Sequence, residues 1–408
     1  MRWFLFIVIY ILIDIYAFQA IKTLTKNQWI YGLYVFISLA VLAAVIYELS
    51  AMGTSKVLDP PKMYVFGIFL TIIAPKLIII LFMFGEDIGR FFIGLFMKVA
   101  GSSDTPFMGS RRKFVSTIAL GIAAIPFASL LYGMVYGKYN YKVLKYSLEF
   151  DDLPDAFDGY TITQLSDIHS GSFDNREKIE YAINLTNEQE SDVILFTGDL
   201  VNNVADEMDN WKHLFSTLKA KDGVFSVLGN HDYGDYVNWD NSVEKAENLQ
   251  KLKNIQKEMG WNLLLNENRY LHRDGEKIAL VGVENWGENG FKQAGDLDKA
   301  TIGISENDFK ILMSHDPSHW QSVVKNDPRN FHLTLSGHTH GMQFGIEIPG
   351  VLRWSPIKYR YQNWAGVYKE FGRYINVNRG FGYLGYPGRV GIWPEITVIK
   401  LKKKQNTV

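Results

Sequence analysis

Residues 224–232 read Val-Phe-Ser-Val-Leu-Gly-Asn-His-Asp. A mostly apolar run stops at a glycine and gives way to an amide, an imidazole and a carboxylate. The run suits a buried strand, and the glycine lets the backbone turn sharply behind it. The same arrangement recurs. Tyr160–Leu165 leads into Asp167-Ile168-His169, Val193–Phe196 into Gly198-Asp199, Lys310–Met313 into His315, and His332–Leu335 into Gly337-His338-Thr339-His340. Ile278–Val283 reads as a further strand, and Asn175–Asn187, Glu207–Lys219 and Ser242–Met259 read as helices between the strands. This alternation predicts an α/β fold with buried, largely parallel strands. Ligand sites in such sheets form at the carboxyl ends of strands, so five strand ends deliver polar side chains to one crevice. Five of the nine histidines lie in these segments.

The residue types point to metals. Oxygen and imidazole donors without sulfur suit Mn, Zn or Fe ions. In Asp-x-His, residues two apart on an extended turn can face the same way, so Asp167 and His169 can chelate one ion. His338 and His340 have the same spacing. Two divalent ions roughly 3.5–4 Å apart need a carboxylate between them, a role that fits Asp199. Taken singly, each element has a plainer explanation. Gly198-Asp199 is an ordinary helix cap, His315 can cap the segment after it, and Gly-Asn-His-Asp alone resembles a turn. In this order, each behind a strand, the set is specific.

The motifs resemble those of the calcineurin-like metallophosphoesterases. Gly337-His338-Thr339-His340-Gly341-Met342-Gln343 resembles the branch that includes membrane-associated bacterial phosphoesterases and certain UDP-diacylglucosamine pyrophosphatases. The resemblance runs from about Tyr160 to Leu401 and includes Asn378-Arg379-Gly380 and Pro394-Glu395-Ile396. It implies two mixed β-sheets packed face to face and flanked by helices. It also implies that Asp167, His169 and His340 bind a first metal and Asn230, His315 and His338 a second, with Asp199 bridging. His231 would stand beside them as the acid or donor for the leaving oxygen. A hydroxide held between the metals would attack phosphorus in line, hydrolysing a phosphate ester or pyrophosphate. The chain departs from simpler members in an insertion at Asp235–Glu247 and in Met342, where many relatives have a second glycine; both departures bear on the substrate.

The first third of the chain has a different character. The runs Trp3–Ile21, Ile30–Leu49, Val65–Phe84 and Phe114–Met134 are each long enough to cross a bilayer. The expected organisation is a transmembrane domain over residues 1–140 and a phosphoesterase domain over 141–408, in a multi-pass protein of the cell membrane. Asp14 and Lys76 interrupt the apolar runs. They read either as an ion path or as a pair that fixes helix packing, and two isolated charges make a poor relay. Residues Asp87–Ala100 read as an interfacial amphipathic helix. The basic cluster Arg111-Arg112-Lys113 favours a cytoplasmic loop and places the C-terminal domain outside the cytoplasm, while Lys138, Lys142 and Lys145 argue the other way.

Composition narrows the remaining classes. A net charge of −1 supplies no field that would recruit nucleic acid. With no cysteine, disulfides, thiolate ligands and a cysteine nucleophile are excluded. The partners expected are the lipid bilayer and a small-molecule or lipid-linked phosphate. The segment Arg353–Trp393 is rich in aromatic and arginine residues, and Arg379 and Arg389 are its candidate phosphate-binding groups. The reading from another class is a non-enzymatic membrane receptor or scaffold with a metal-binding, phosphoesterase-like domain.

Overall fold

The computed structural model describes residues 2–51, 59–100, 109–288, 290–348 and 350–405. It divides into two compact units, Met1–Ser55 with Pro61–Val135 and a second that takes in Tyr136–Val408. Helices α1 (Arg2–Leu24), α2 (Gln28–Ala51), α3 (Pro60–Val99) and α4 (Gly109–Val135) take up the four apolar runs, and each is long and apolar enough to cross a membrane. Helix α3 is longer than its apolar run. Its 40 residues extend roughly 60 Å, and the expected interfacial helix at Asp87–Ala100 is its unbroken continuation. No proline or turn signal separates the two stretches, so the helix carries on.

Polar groups inside the helical unit are paired. Lys76 of α3 reaches Asp14 of α1 and lies 2.6 Å from Ser38 Oγ of α2, while Ser38 donates to Asp14 Oδ1 at 2.7 Å. This is the packing pair that the sequence allows, and it ties three helices together. Arg112 of α4 donates to Glu86 Oε2 at 2.8 Å and also reaches Asp87, which accepts from Tyr16 of α1. Each of these charges meets a counter-charge, as an apolar surround demands.

The second unit is built on two six-stranded sheets. The first runs β1 (Lys142–Phe150), β14 (Glu395–Lys403), β2 (Thr161–Leu165), β3 (Val193–Phe196), β4 (Val224–Ser226) and β5 (Trp261–Leu263). Strands β2 to β5 are mutually parallel, and β14 is antiparallel to β2. The second sheet runs β12 (Gly366–Glu370), β13 (Arg373–Val377), β9 (Leu333–Ser336), β8 (Lys310–Met313), β7 (Glu276–Gly282) and β6 (Glu267–Arg273). Its inner strands are parallel and its edge pairs antiparallel. Both sheets are therefore mixed. A short hairpin, β10 (Ile346–Ile348) with β11 (Leu352–Trp354), stands apart from them.

Period-two alternation places the sheets face to face. Val193 and Leu195 of β3 meet Leu280, Ile311, Met313 and Leu335 of the other sheet in one buried cluster. Their neighbours Ile194 and Phe196 point the opposite way, into a cluster with Ile179 and Ile183 of helix α5 (Arg176–Asn187). A strand buried on both faces must be apolar at every position, as Val-Ile-Leu-Phe is. The helix expected over Glu207–Lys219 is mostly irregular, with one α-turn, α6 (Lys212–Phe215). Its apolar residues Leu214 and Phe215 are buried, but tertiary packing rather than helical periodicity holds the rest. Helix α7 (Ser242–Glu258) matches its expected span.

Candidate metal centre

The carboxyl ends of β2, β3 and β4 in one sheet and of β8 and β9 in the other lead directly into the polar motifs. Backbone hydrogen bonds lace these loops together. Asp167 N–H donates to Gly198 O at 2.9 Å, His169 N–H to Asp199 O at 3.1 Å, and Gly337 N–H to His315 O at 2.8 Å. The turns are tight enough to force Asp167, His169, Asp199, His338 and His340 into the left-handed region, with φ between 49° and 71°. Non-glycine residues adopt it seldom and persist there when the surroundings over-determine them, commonly at functional sites. A Cβ on Gly337 would lie 1.8 Å from Ser166 Oγ and 2.2 Å from Asp167 Oδ2, so only glycine fits between the motifs.

Seven expected ligands and His231 come together. Asp167, His169 and His340 form one group of converging donor atoms, and Asp199, His315 and His338 another. His340 Nε2 lies 3.2 Å from Asp167 Oδ1 and 3.0 Å from His169 Nε2. Asp199 Oδ2 lies 3.7 Å from His169 Nε2 and 3.1 Å from His315 Nε2. Asn230 Oδ1 is 2.8 Å from His338 Nδ1. A third group joins His169, Asp199 and His231. The Asp199 carboxylate is thus shared between the clusters.

Neighbours orient these donors. His315 Nδ1 is 2.8 Å from Thr197 O, which holds the proton there and turns Nε2 toward Asp199. Asn230 Nδ2 donates to Tyr236 Oη at 2.8 Å and so aims Oδ1 at His338. His338 Nε2 is 2.8 Å from Tyr361 Oη and 3.5 Å from buried Asp316. His231 Nδ1 lies 2.7 Å from Asn202 O, and its backbone N–H donates to Asp199 Oδ1 at 2.8 Å.

The charges suit cations. Burial opposes ionisation of Asp199, yet His315 and His231 outweigh it and hold the carboxyl well below the usual carboxylate range. Asp167 is depressed in the same way, against burial, chiefly by His340. Burial and the flanking imidazoles of His340 and His231 keep His169 neutral, and burial lowers His338. Burial also opposes charge on His315, but Asp199 and Asp167 push it up to about 10, so a proton can stand where a cation would. Anionic carboxylates, imidazoles and an amide oxygen, with no sulfur, form a donor set that fits divalent metal ions.

Arg379 and Arg389, the candidate phosphate-binding groups, lie in the interior. Arg379 is buried and bonded to Glu395 and to Glu347 Oε1, the latter at 2.6 Å. Arg389 is fully buried, donating from Nε to Gly382 O at 2.9 Å and from Nη2 to Gly380 O at 3.1 Å and to His340 Nδ1 at 3.2 Å. Both guanidinium groups are held by bonds within the protein, with Nη1 of Arg389 left without a partner. Phe381, Tyr383 and Trp364 of the aromatic segment are likewise buried in packing clusters, while Tyr361 faces the site.

Sequence reading assigned no role to Asp232, Asp316, Tyr236 or Tyr361. Asp232 has the clearest one. Its buried carboxylate accepts from Gly229 N–H at 2.8 Å and Leu200 N–H at 2.8 Å, joining the turn that carries Asp199 to the one that carries Asn230. The signal was its place directly after His231; Tyr236 lies in the insertion and Tyr361 in the aromatic segment.

Comparison with known proteins agrees with this arrangement. Residues 1–138 match the transmembrane domain described as that of a probable calcineurin-like phosphoesterase, and residues 160–342 match the calcineurin-like phosphoesterase family. The metallophosphoesterase YkuE of Bacillus subtilis is 29% identical over 306 residues, covering 72% of this chain and 98% of that protein. A transmembrane protein with a metallophosphoesterase domain from Danio rerio is 28% identical, covering 80% of this chain and 71% of its own length. Its counterpart from Bos taurus is 30% identical over 61% of this chain and 54% of its own. The chain belongs to the calcineurin-like metallophosphoesterase family, with four helices long and apolar enough to cross a membrane ahead of a mixed-sheet domain that brings its His and Asp clusters together.

Proposed function

We propose that this membrane protein hydrolyses a phosphate ester or pyrophosphate at a centre of two divalent metal ions, and that its substrate is lipid-linked. The observation that carries the reading is the Asp199 carboxylate, shared by donor groups from both sheets. Asp167, His169 and His340 would hold one ion, Asn230, His315 and His338 the other, and Asp199 both. Bound there, the cations would acidify a water molecule and neutralise charge on the reacting phosphoryl group.

The chain's own residues do the rest. Tyr361 and Thr197 keep the imidazoles of His338 and His315 oriented. His231 would serve the leaving oxygen through its Nε2, its ring held by the contact of Nδ1 with the Asn202 carbonyl. The four helices confine the domain to a membrane surface, which suits an amphiphilic substrate. The Arg111–Lys113 cluster supports an extracytoplasmic domain.

The test joins metal content to turnover. Purified protein should carry close to two transition-metal ions and hydrolyse a generic phosphodiester with added Mn²⁺. Asp199→Asn should remove turnover and leave the fold intact. Full turnover in that variant, or a metal-free protein inactive under all metals, would reject the reading, the latter in favour of a scaffold.

A further inference from the structure

Just past the last metal motif, the hairpin of β10 and β11 has its polarity reversed. Its register pairs Ile346 with Trp354, Glu347 with Arg353 and Ile348 with Leu352. Cross-strand partners share a face, so one face carries Ile346, Ile348, Leu352 and Trp354 and the other Glu347 and Arg353. In a hairpin lying on a soluble protein the charged face meets water. Here Glu347 is half-buried, and Arg353, though exposed, also bonds to the protein. Glu347 bonds buried Arg379 at 2.6 Å, and Arg353 donates to Ala365 O at 2.6 Å. The apolar face looks outward, with Ile346 and Ile348 each 50% exposed, Leu352 45%, and Val351 at the tip 79%.

The hairpin is mounted firmly. Arg379 is held in turn by Glu395, and Ser355 Oγ at the hairpin's base donates to Gly341 O at 2.8 Å, beside His340. The apolar surface continues toward the centre through exposed Met342 and Phe344. The turn is closed by Val351 N–H donating to Ile348 O at 3.0 Å. A compact chain seldom leaves such a patch to water unless something covers it.

We propose that this hairpin inserts into the lipid bilayer surface and so presents the metal centre to membrane-borne substrate. A lipid occupant is favoured by three features. Only six residues separate Val135, the end of α4, from Lys142, the start of β1; fully extended they reach roughly 22 Å, a short tether to a helix long and apolar enough to cross a bilayer. Exposed apolar side chains such as Ile348, Val351 and Leu352 enter acyl chains readily. Exposed Lys358 and Arg360 follow within six residues of Trp354, where cations meet anionic headgroups. The insertion stands apart from catalysis; its consequence for substrate rests on the phosphoesterase reading above.

The cysteine-free chain allows a direct test. Ile348→Cys, Val351→Cys and, as control, Glu258→Cys are labelled with an environment-sensitive fluorophore. The full chain is placed in nanodiscs of phosphatidylcholine and phosphatidylglycerol. Probes at 348 and 351 should emit at shorter wavelength and be quenched by doxyl-labelled lipid, while the control should not. Hairpin probes that match the control, or that are shielded from both water and doxyl lipid, would overturn the insertion. Disulfide cross-linking between Val351→Cys chains would do so in favour of a contact between copies. In the same nanodiscs, Ile348→Ser/Val351→Ser should lower hydrolysis of an embedded lipid phosphate at least about fivefold and leave a soluble nitrophenyl diester unchanged. An equal loss on both would reject the consequence for substrate, and an inactive parent chain would reject the phosphoesterase reading while the quenching result still decides insertion.

Discussion

The side chain of Asp232 accepts the backbone N–H of Asp199 at 3.0 Å, so the carboxylate behind the site holds in place the one shared between its two donor clusters. The same oxygen takes Gly229 N–H, and its partner oxygen takes the N–H groups of Leu200 at 2.8 Å and Val201 at 3.3 Å. Four donors from two loops converge on one buried group. In Asp232→Asn, one of the two acceptor oxygens becomes an amide that faces N–H groups. The variant should lose about 2–4 kcal/mol of stability and retain less metal, with turnover down about 10–100-fold. Thermal melting and elemental analysis together check this; unchanged metal content would assign Asp232 to stability alone.

His231 is expected to serve the leaving group. His231→Ala should keep the metals and lose about 10²-fold or more in turnover on alkyl phosphate esters. The loss should shrink on nitrophenyl esters, whose leaving group needs little protonation. Loss of metal would instead make His231 a ligand, consistent with its place in a donor group with His169 and Asp199.

Acid should destabilise the domain partly through His319. Burial pushes this imidazole down to about 3, where it sits stacked on Trp286 and 2.9 Å from Ser314 Oγ. The unfolded chain takes up the proton near pH 6.5. The neutral form's contribution is therefore complete above about pH 6.5 and drains away as pH falls toward 3, at up to about 1.4 kcal/mol per pH unit. His319→Phe keeps the stacking and removes the titration. Its melting midpoint should fall less than the parent's between pH 7.5 and 5, and an identical fall would acquit His319.

Sidedness can be read with an impermeant thiol reagent. Glu258→Cys in the otherwise cysteine-free chain should react in intact spheroplasts if the domain lies outside the cytoplasm, as the Arg111–Lys113 cluster predicts. Reaction only after lysis would reverse the orientation.

The sequence by itself determined the two-part plan and the ligand inventory. Four apolar runs can be satisfied only as helices in lipid, and strands followed at once by Asp, Asn or His declare their chemistry locally, because both signals lie within a few residues. What lay beyond it depended on contacts between distant segments. Arg379 and Arg389 look like phosphate grips in the chain, yet the fold buries both. One clamps Glu347 and Glu395, and the other lies against Gly380, Gly382 and His340. Asp232 gained its role only when residues 31–33 positions earlier were brought to it. The direction of the β10–β11 hairpin was likewise invisible: alternation says that Ile346 and Ile348 share a face, but the Glu347–Arg379 pair, formed across 32 residues, turns that face outward. Periodicity tells which side chains stand together; the partner on one side decides which way they look.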